Sequence, residues 1–344
     1  MRLIRTLVVD DSAFVRKVIR EILATNPFIE VVGFAKNGKE ALEMVETLKP
    51  DVVTCDLNMP ELDGVSFVKK QFARRPVPII ILTASPQDTD QVVEALEAGA
   101  LDFVQKPTAL ATDALRLIRE ELIEKIKSAA DAAFHATPPA AKKPVPTSAP
   151  SRAARNVDIV VLGISTGGPQ ALRYLLPQLA KDFPVPLVMV LHMPVGYTAP
   201  FAEKLAEISQ LAVKEAYEGC PVIPQQALLA PAGKHLSFQR DPSGQVKVHL
   251  SQKPAGKPHK PSVDVMFQSA AEIYGRRVLG VVMTGMGNDG TEGAAWIKAQ
   301  GGMILTESEE SCIIYGMPRC VVESGMSDGA AGLSSMVVEI NNRL

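Results

Sequence analysis

Through the first third of the chain, short apolar runs alternate with stretches of helical period. Leu7 to Val9, Val31 to Phe34, Val52 to Cys55, Ile79 to Leu82 and Phe103 to Gln105 read as strands. Between the first two lie Phe14, Val15, Val18, Ile19, Ile22 and Leu23, one face at i, i+4, i+8 spacing, behind Ser12 as an N-cap candidate. Such alternation predicts a parallel sheet with helices on both faces. The pattern breaks at 127–156, KSAADAAFHATPPAAKKPVPTSAPSRAARN, which is rich in Ala and Pro and almost lacks large apolar side chains. A segment of that kind cannot bury a core and reads as a linker. The pattern then restarts with DIVVLGI (158–164), a helical stretch near 169–180, PLVMVLH (186–192) and another helix near 199–208. RVLGVVMTG (277–285) and the helical TEGAAWIKAQ (291–300) follow, with further strands expected near 227–230, 246–250 and 303–306. The expectation is an α/β protein: a doubly wound domain over 1–126, a linker over 127–156, and a second α/β domain with a mostly parallel sheet over 157–344.

Length agrees, because 344 residues exceed what one hydrophobic core usually serves. The 36 Lys and Arg against 38 Asp and Glu give no bias toward a polyanion, so nucleic acid is not expected as a partner. Cys55, Cys220, Cys312 and Cys320 show no CxxC pair or metal-ligand spacing and read as inert thiols of a reducing cytoplasm. The N-terminal MRLIRTLVVDDS is too short and too charged to span a bilayer, and no later run approaches the roughly 20 apolar residues required. A cytoplasmic protein with no direct membrane insertion is expected.

The acidic residues of the first domain gather where such sheets place function, just past the carboxyl ends of strands. Asp10 and Asp11 follow the first strand and Asp56 the third. Carboxylates converging there repel one another, and a hard divalent cation, Mg²⁺, relieves the repulsion. Thr83 ends another strand and offers a hydroxyl; Lys106 ends the last and offers a cation for phosphoryl oxygens. Lys106–Pro107 is a candidate cis bond. A lone Asp-Asp pair usually marks a solvated turn, but five such residues at four strand ends are hard to read that way.

VVDDS, DLNMPELDG, the TAS segment and KP together resemble the receiver domain of two-component response regulators, over about residues 1–125. The resemblance implies a flavodoxin-like fold, phosphorylation of Asp56 by a partner histidine kinase, and Mg²⁺ held by Asp10, Asp11, Asp56 and the Asn58 carbonyl. It also implies Thr83, Lys106 and Phe103 as switch residues, although Phe103 reads equally as core. Phosphorylation adds about −1.5 to −2 charges, which Thr83 and Lys106 are placed to meet.

In the second domain Ser165 lies in GISTGGP, directly after an apolar strand and before a helix. A nucleotide-binding loop is the competing reading, but the segment fits neither GxGxxG nor GxxxxGK[ST]. His192 in LHMP and Asp289 in TGMGNDG also lie just beyond apolar strands, and a serine nucleophile needs a base oriented by a carboxylate. Each alone reads as structural; together they predict a Ser165, His192, Asp289 triad. The order Ser, His, Asp and the missing GxSxG elbow separate it from α/β-hydrolases. His135 falls in the linker, His249 in a strand-like run and His259 in a Lys/Pro-rich loop, leaving His235 in APAGKHL as the rival base. Backbone N–H groups at Thr166 and Met286 are candidate oxyanion donors.

GISTGGP, LHMP, APAGKHL, PSVDVMF, TGMGNDG and YGMPR resemble the catalytic domain of the chemotaxis protein-glutamate methylesterase family, and with the receiver the resemblance spans essentially the whole chain. Leu62 in DLNMPELDG and Leu191 in LHMP depart from the common Met and Gln without touching a catalytic atom. The resemblance implies a Rossmann-like catalytic domain and a serine hydrolase that demethylates glutamate γ-methyl esters on chemoreceptors, releasing methanol, and also deamidates receptor glutamines. It implies chemoreceptors as substrate, a chemotaxis histidine kinase as phosphodonor, no cofactor for the esterase and a monomer. It further suggests that the unphosphorylated receiver blocks the Ser165 crevice. Two other classes compete: a regulator whose second domain only binds a partner or nucleotide, and a DNA-binding regulator, for which no basic helix-turn-helix is present.

Overall fold

The computed structural model of the protein describes residues 3–84, 86–106, 112–131 and 157–344. It divides into two compact units, Met1–Pro138 and Pro139–Leu344. Lys106–Pro107 as a cis bond and most of the expected linker lie outside the described residues.

The first unit runs β1 (Ile4–Val9), α1 (Ala13–Ala24), β2 (Ile29–Ala35), α2 (Gly38–Leu48), β3 (Val52–Asp56), α3 (Gly64–Arg74), β4 (Ile79–Thr83), α4 (Thr89–Glu97), β5 (Asp102–Gln105) and α5 (Thr112–Asp131). All five strands pair in parallel in the order β2-β1-β3-β4-β5. The order reverses between β1 and β3, so Asp10 and Asp56 flank the crevice where such folds bind ligands. β3 and β4 are buried along their whole length, as strands covered on both faces require. Ser12 caps α1 as its position predicts, accepting a hydrogen bond from Val15 N. One boundary differs. Residues 127–131, assigned to the linker, continue α5, and Ala129 is buried. The Ala content that argued against a core is also the strongest helix-forming composition, which lets the helix run on.

The second unit opens with β6 (Ile159–Ile164), α6 (Gly168–Leu175), β7 (Leu187–Leu191), α7 (Thr198–Ile208), β8 (Ala212–Glu215) and β9 (Gln226–Leu229). A hairpin follows, β10 (His235–Arg240) with β11 (Val246–Ser251), then α8 (Val263–Tyr274), β12 (Val278–Val282) and α9 (Thr291–Ala299). β13 (Met303–Glu307), α10 (Met317–Glu323), β14 (Ala330–Ala331) and α11 (Leu333–Asn341) complete it. The main sheet has the order β14-β13-β12-β6-β7-β9-β8 with every pair parallel. The strand expected near 246–250 exists but stands outside this sheet, antiparallel to β10. That short pair packs Leu236, Phe238, Val246 and Val248 into the same core as Met266, Phe267 and Ala270 of α8. Here again the strand order reverses, between β6 and β12, which places the ends of both at one crevice. No helix among the described residues is long and apolar enough to cross a membrane.

Candidate functional site

In the first unit, ligand atoms of Asp10, Asp11 and Asp56 all lie within 4.8 Å of one another. Asp10 and Asp56 are buried and Asp11 is exposed. Lys106 Nζ reaches both buried carboxylates, at 2.8 Å from Asp10 Oδ2 and 2.7 Å from Asp56 Oδ2. Burial pushes the Asp56 pKa up, with Asp10 adding to the rise and Lys106 opposing it. Burial would lower the Lys106 pKa, but its bonds to Asp10 and Asp56 outweigh this and raise it. One ammonium against three carboxylates leaves an excess of hard oxygen ligands, a donor set that fits a divalent cation such as Mg²⁺.

The expected switch residues lie around this cluster. Asn58 N donates weakly to Asp56 Oδ1 at 3.4 Å. Thr83 is buried at the end of β4, its hydroxyl donating to Asp88 Oδ2 at 3.1 Å. Phe103 is buried, with Lys125 Nζ 5.7 Å from its ring centroid and donating to its carbonyl at 2.7 Å. Burial would lower the Lys125 pKa; Asp102 and Glu121, each 3.1 Å away, outweigh this and raise it. Sequence reading did not single out Lys125, which ties α5 to β5.

In the second unit, β6 delivers Ser165, β7 delivers His192 and the loop after β12 delivers Asp289. Ser165 N donates to Thr284 O at 3.0 Å, and His192 N to Ile164 O at 3.2 Å, so backbone bonds hold the three strand ends together. A side chain at Gly285 would put its Cβ 2.7 Å from that of Ser165, so only glycine lets the β12 loop come this close. Gly167, at φ +78°, makes the left-handed turn from the Ser165 loop into α6. Thr166 is buried and its carbonyl accepts from Thr284 Oγ1 at 3.0 Å, while Met286 is half-buried.

His192 Nε2 donates to Asp289 Oδ2 at 2.9 Å. Asp289 also accepts from Ser262 Oγ at 2.8 Å, Val263 N at 2.8 Å and Asp264 N at 3.0 Å. Burial would raise its pKa, but the bond and charge of His192 and the N–H groups of Asp264 and Val263 hold it well below the usual carboxylate range. Those N–H groups begin α8, so the helix dipole adds to the effect. An ionised Asp289 can only accept, so Nε2 must carry a proton, and in the neutral ring the lone pair falls on Nδ1. Nδ1 is buried and has no hydrogen-bond partner among the described residues. No hydrogen bond joins it to Ser165 there either, a looseness common before substrate binds.

Asp264 was missed. Its Oδ1 accepts from Gly290 N and Gly293 N, both at 2.8 Å, and its Oδ2 meets Lys257 Nζ at 2.9 Å. Asp289, just ahead of α9, thus caps α8, while Asp264, in the first turn of α8, caps α9. No local spacing in the sequence pointed to partners 26 and 29 residues away. Asp264→Ala removes two backbone hydrogen bonds and an ammonium contact from a buried carboxylate. It is expected to cost about 2–3 kcal/mol in stability and to displace Asp289, measurable by thermal denaturation.

His235 begins β10 with its Nε2 bonded to Pro254 O at 3.1 Å, and Asp289 is not its partner. Buried Glu307 was also missed: it accepts from Thr284 N at 2.9 Å and Ser311 Oγ at 2.6 Å, and braces the loop carrying Gly285.

Comparison with known proteins gives two family matches, CheB methylesterase over residues 160–340 and response regulator receiver domain over residues 6–117. Protein-glutamate methylesterase/protein-glutamine glutaminase 5 of Myxococcus xanthus is 46% identical, covering 97% of this chain and 96% of that protein. Protein-glutamate methylesterase/protein-glutamine glutaminase of Thermotoga maritima is 40% identical, covering 95% and 94%. The crystal structure of Thermotoga maritima CheB methylesterase catalytic domain matches with TM-score 0.53 and 38% identity, covering 55% of this chain and 99% of that one.

Proposed function

We infer how this molecule works from one premise: the chain belongs to the CheB methylesterase family and carries a response regulator receiver domain ahead of the esterase. It is a protein-glutamate methylesterase and protein-glutamine glutaminase of a chemosensory pathway, regulated by phosphorylation. Its substrates are γ-methyl esters and γ-amides of glutamyl side chains on chemoreceptors, reached from the cytoplasm.

The observation that carries the residue assignment is the pairing of His192 Nε2 with Asp289 at 2.9 Å, which leaves Nδ1 as the basic nitrogen of a residue whose strand, β7, pairs with the β6 strand that Ser165 follows. Ser165 Oγ attacks the γ-carbonyl while Nδ1 takes its proton. The ring is used in the opposite sense to the serine-protease triad, where Nδ1 faces the carboxylate. Amides at Thr166 and Met286 are assigned to the oxyanion. Collapse of the tetrahedral intermediate breaks the C–O bond, and the proton on Nδ1 leaves with methanol. Water, deprotonated by Nδ1, then attacks the acyl-enzyme and returns Ser165 and a free glutamate. A glutamine follows the same course with ammonia as leaving group.

In the receiver, Asp56 accepts a phosphoryl group from a chemotaxis histidine kinase. Mg²⁺ held by Asp10, Asp11, Asp56 and the Asn58 carbonyl would neutralise charge on the transferring group. Lys106, already 2.7 Å from Asp56, exchanges its carboxylate partner for a phosphoryl oxygen. Thr83 and Phe103 are assigned to relaying that change.

Methanol release from methylated receptor fragments, with and without a small phosphodonor, tests the whole reading. Asp56→Asn is expected to abolish stimulation by phosphodonor while leaving the unstimulated rate within about twofold, since Asp56 belongs to a different compact unit from the esterase. Stimulation that survives in this variant would show that another residue accepts the phosphoryl group.

A further inference from the structure

We propose that His259 is a positioning residue for the catalytic imidazole, stacking on one face of His192 so that the ring can move only in its own plane. This rests on the reading that His192 is the base. The two ring centroids are 4.1 Å apart and the planes differ by 18°. His259 is exposed while the His192 side chain is 8% exposed, so the second ring lies between the first and water.

His259 sits in a loop that is held on both sides. Before it, Lys257 Nζ bonds Asp264 Oδ2 at 2.9 Å and Glu292 Oε2 at 2.5 Å. After it, the Lys260 carbonyl accepts from Gly233 N at 2.9 Å. The Lys257 bonds link this loop to the same Asp264 that shapes the Asp289 loop. An exposed histidine in a Lys/Pro-rich segment is thereby fixed against the catalytic ring.

The need for it follows from how His192 is held. Among the described residues its side chain is hydrogen bonded through Nε2 alone, and a histidine ring turns readily about its last torsion. Nδ1 must first face Ser165 Oγ and then the leaving group, a swing that stays productive only within the ring plane. A flat neighbour pressed on one face permits in-plane motion and resists tilting.

The two reactions make unequal demands on this alignment. Methanol is a tolerable leaving group with late proton transfer. In deamidation the nitrogen must receive the Nδ1 proton before the C–N bond breaks and its electron pair departs with ammonia. Loss of the stack therefore falls harder on glutamine than on the methyl ester.

The test uses the full chain with helical peptides carrying either a glutamate γ-methyl ester or a glutamine. His259→Ala is expected to lower kcat for the ester about tenfold and for the glutamine about a hundredfold, with KM changed less than about threefold. His259→Phe, which keeps a flat ring without a nitrogen, is expected to restore most of both. Wild-type kcat in His259→Ala, or a Phe variant no better than Ala, overturns the proposal. His192→Gln separates the levels: if it keeps near-normal activity the base assignment itself falls, whereas an inactive His192→Gln beside a fully active His259→Ala refutes only the stacking role.

Discussion

Ser165→Ala lowers methanol release by at least about 10⁴-fold and leaves the melting temperature within about a degree. The large expected kinetic effect follows from removing the proposed nucleophile, which would leave binding and oxyanion stabilisation alone. The small thermal effect follows from the surroundings. Ser165 is half-buried and its hydroxyl makes no hydrogen bond among the described residues, so alanine strands no buried partner. Its backbone bonds, N to Thr284 O at 3.0 Å and O from Gly168 N at 2.7 Å, do not depend on the side chain. A variant that stays folded and retains near-normal turnover would transfer the nucleophile's role to another group.

Asp289→Asn combines a kinetic and a structural loss of different origin. Three oxygen-directed donors other than His192 surround the carboxylate, so an amide that replaces one oxygen must point its own N–H at a donor. If the amide nitrogen faces His192, Nε2 becomes an acceptor and the proton moves to Nδ1, which can then no longer accept from Ser165. A fall of about 10⁴-fold in kcat is expected. If the nitrogen turns the other way, it opposes the N–H of Asp264 and the hydroxyl of Ser262. Either arrangement weakens the start of α8, by about 2–3 kcal/mol, visible in chemical denaturation.

The pH dependence gives this prediction a sign. Asp289 has a folded-state pKa below its unfolded value, so its contribution to stability is present above the ordinary aspartate range near 3.9. It is lost as pH falls toward the folded value. In Asp289→Asn the difference from the parent protein should be largest at neutral pH and shrink in acid. A difference that grew on acidification would contradict the assignment of Asp289 as the strongly stabilised carboxylate.

Much of both sites could be read from the chain because parallel sheets expose function at strand ends. Asp56, Lys106 and Asp10 each follow an apolar run, and the Lys106 ammonium lies within 2.8 Å of both carboxylates. The same reasoning singled out His192 and Asp289, 97 residues apart and hydrogen bonded. What escaped was side-chain partnership across long separations. Asp264 looked like any acidic residue in a first helical turn, Glu307 like the polar end of a strand and Lys125 like a solvated helix position. Their burial comes from packing between elements, which periodicity does not encode. His259 was set aside because Lys and Pro neighbours usually mark a solvated loop. The hairpin β10–β11 was half seen, since only one of its strands shows clean alternation.

The crossed capping of α8 and α9 also bears on how the protein opens. The amides of Val263 and Asp264 answer to one carboxylate, carried just ahead of α9, and those of Gly290 and Gly293 to the other, carried in the first turn of α8. Neither helix start can fray without releasing the other, so these four amides should exchange with solvent deuterium as one cooperative unit. Every excursion of that unit takes Asp289 away from His192. The fraction of molecules competent for chemistry at any instant is then set by a single local opening equilibrium, and hydrogen exchange at four backbone positions would measure it without substrate.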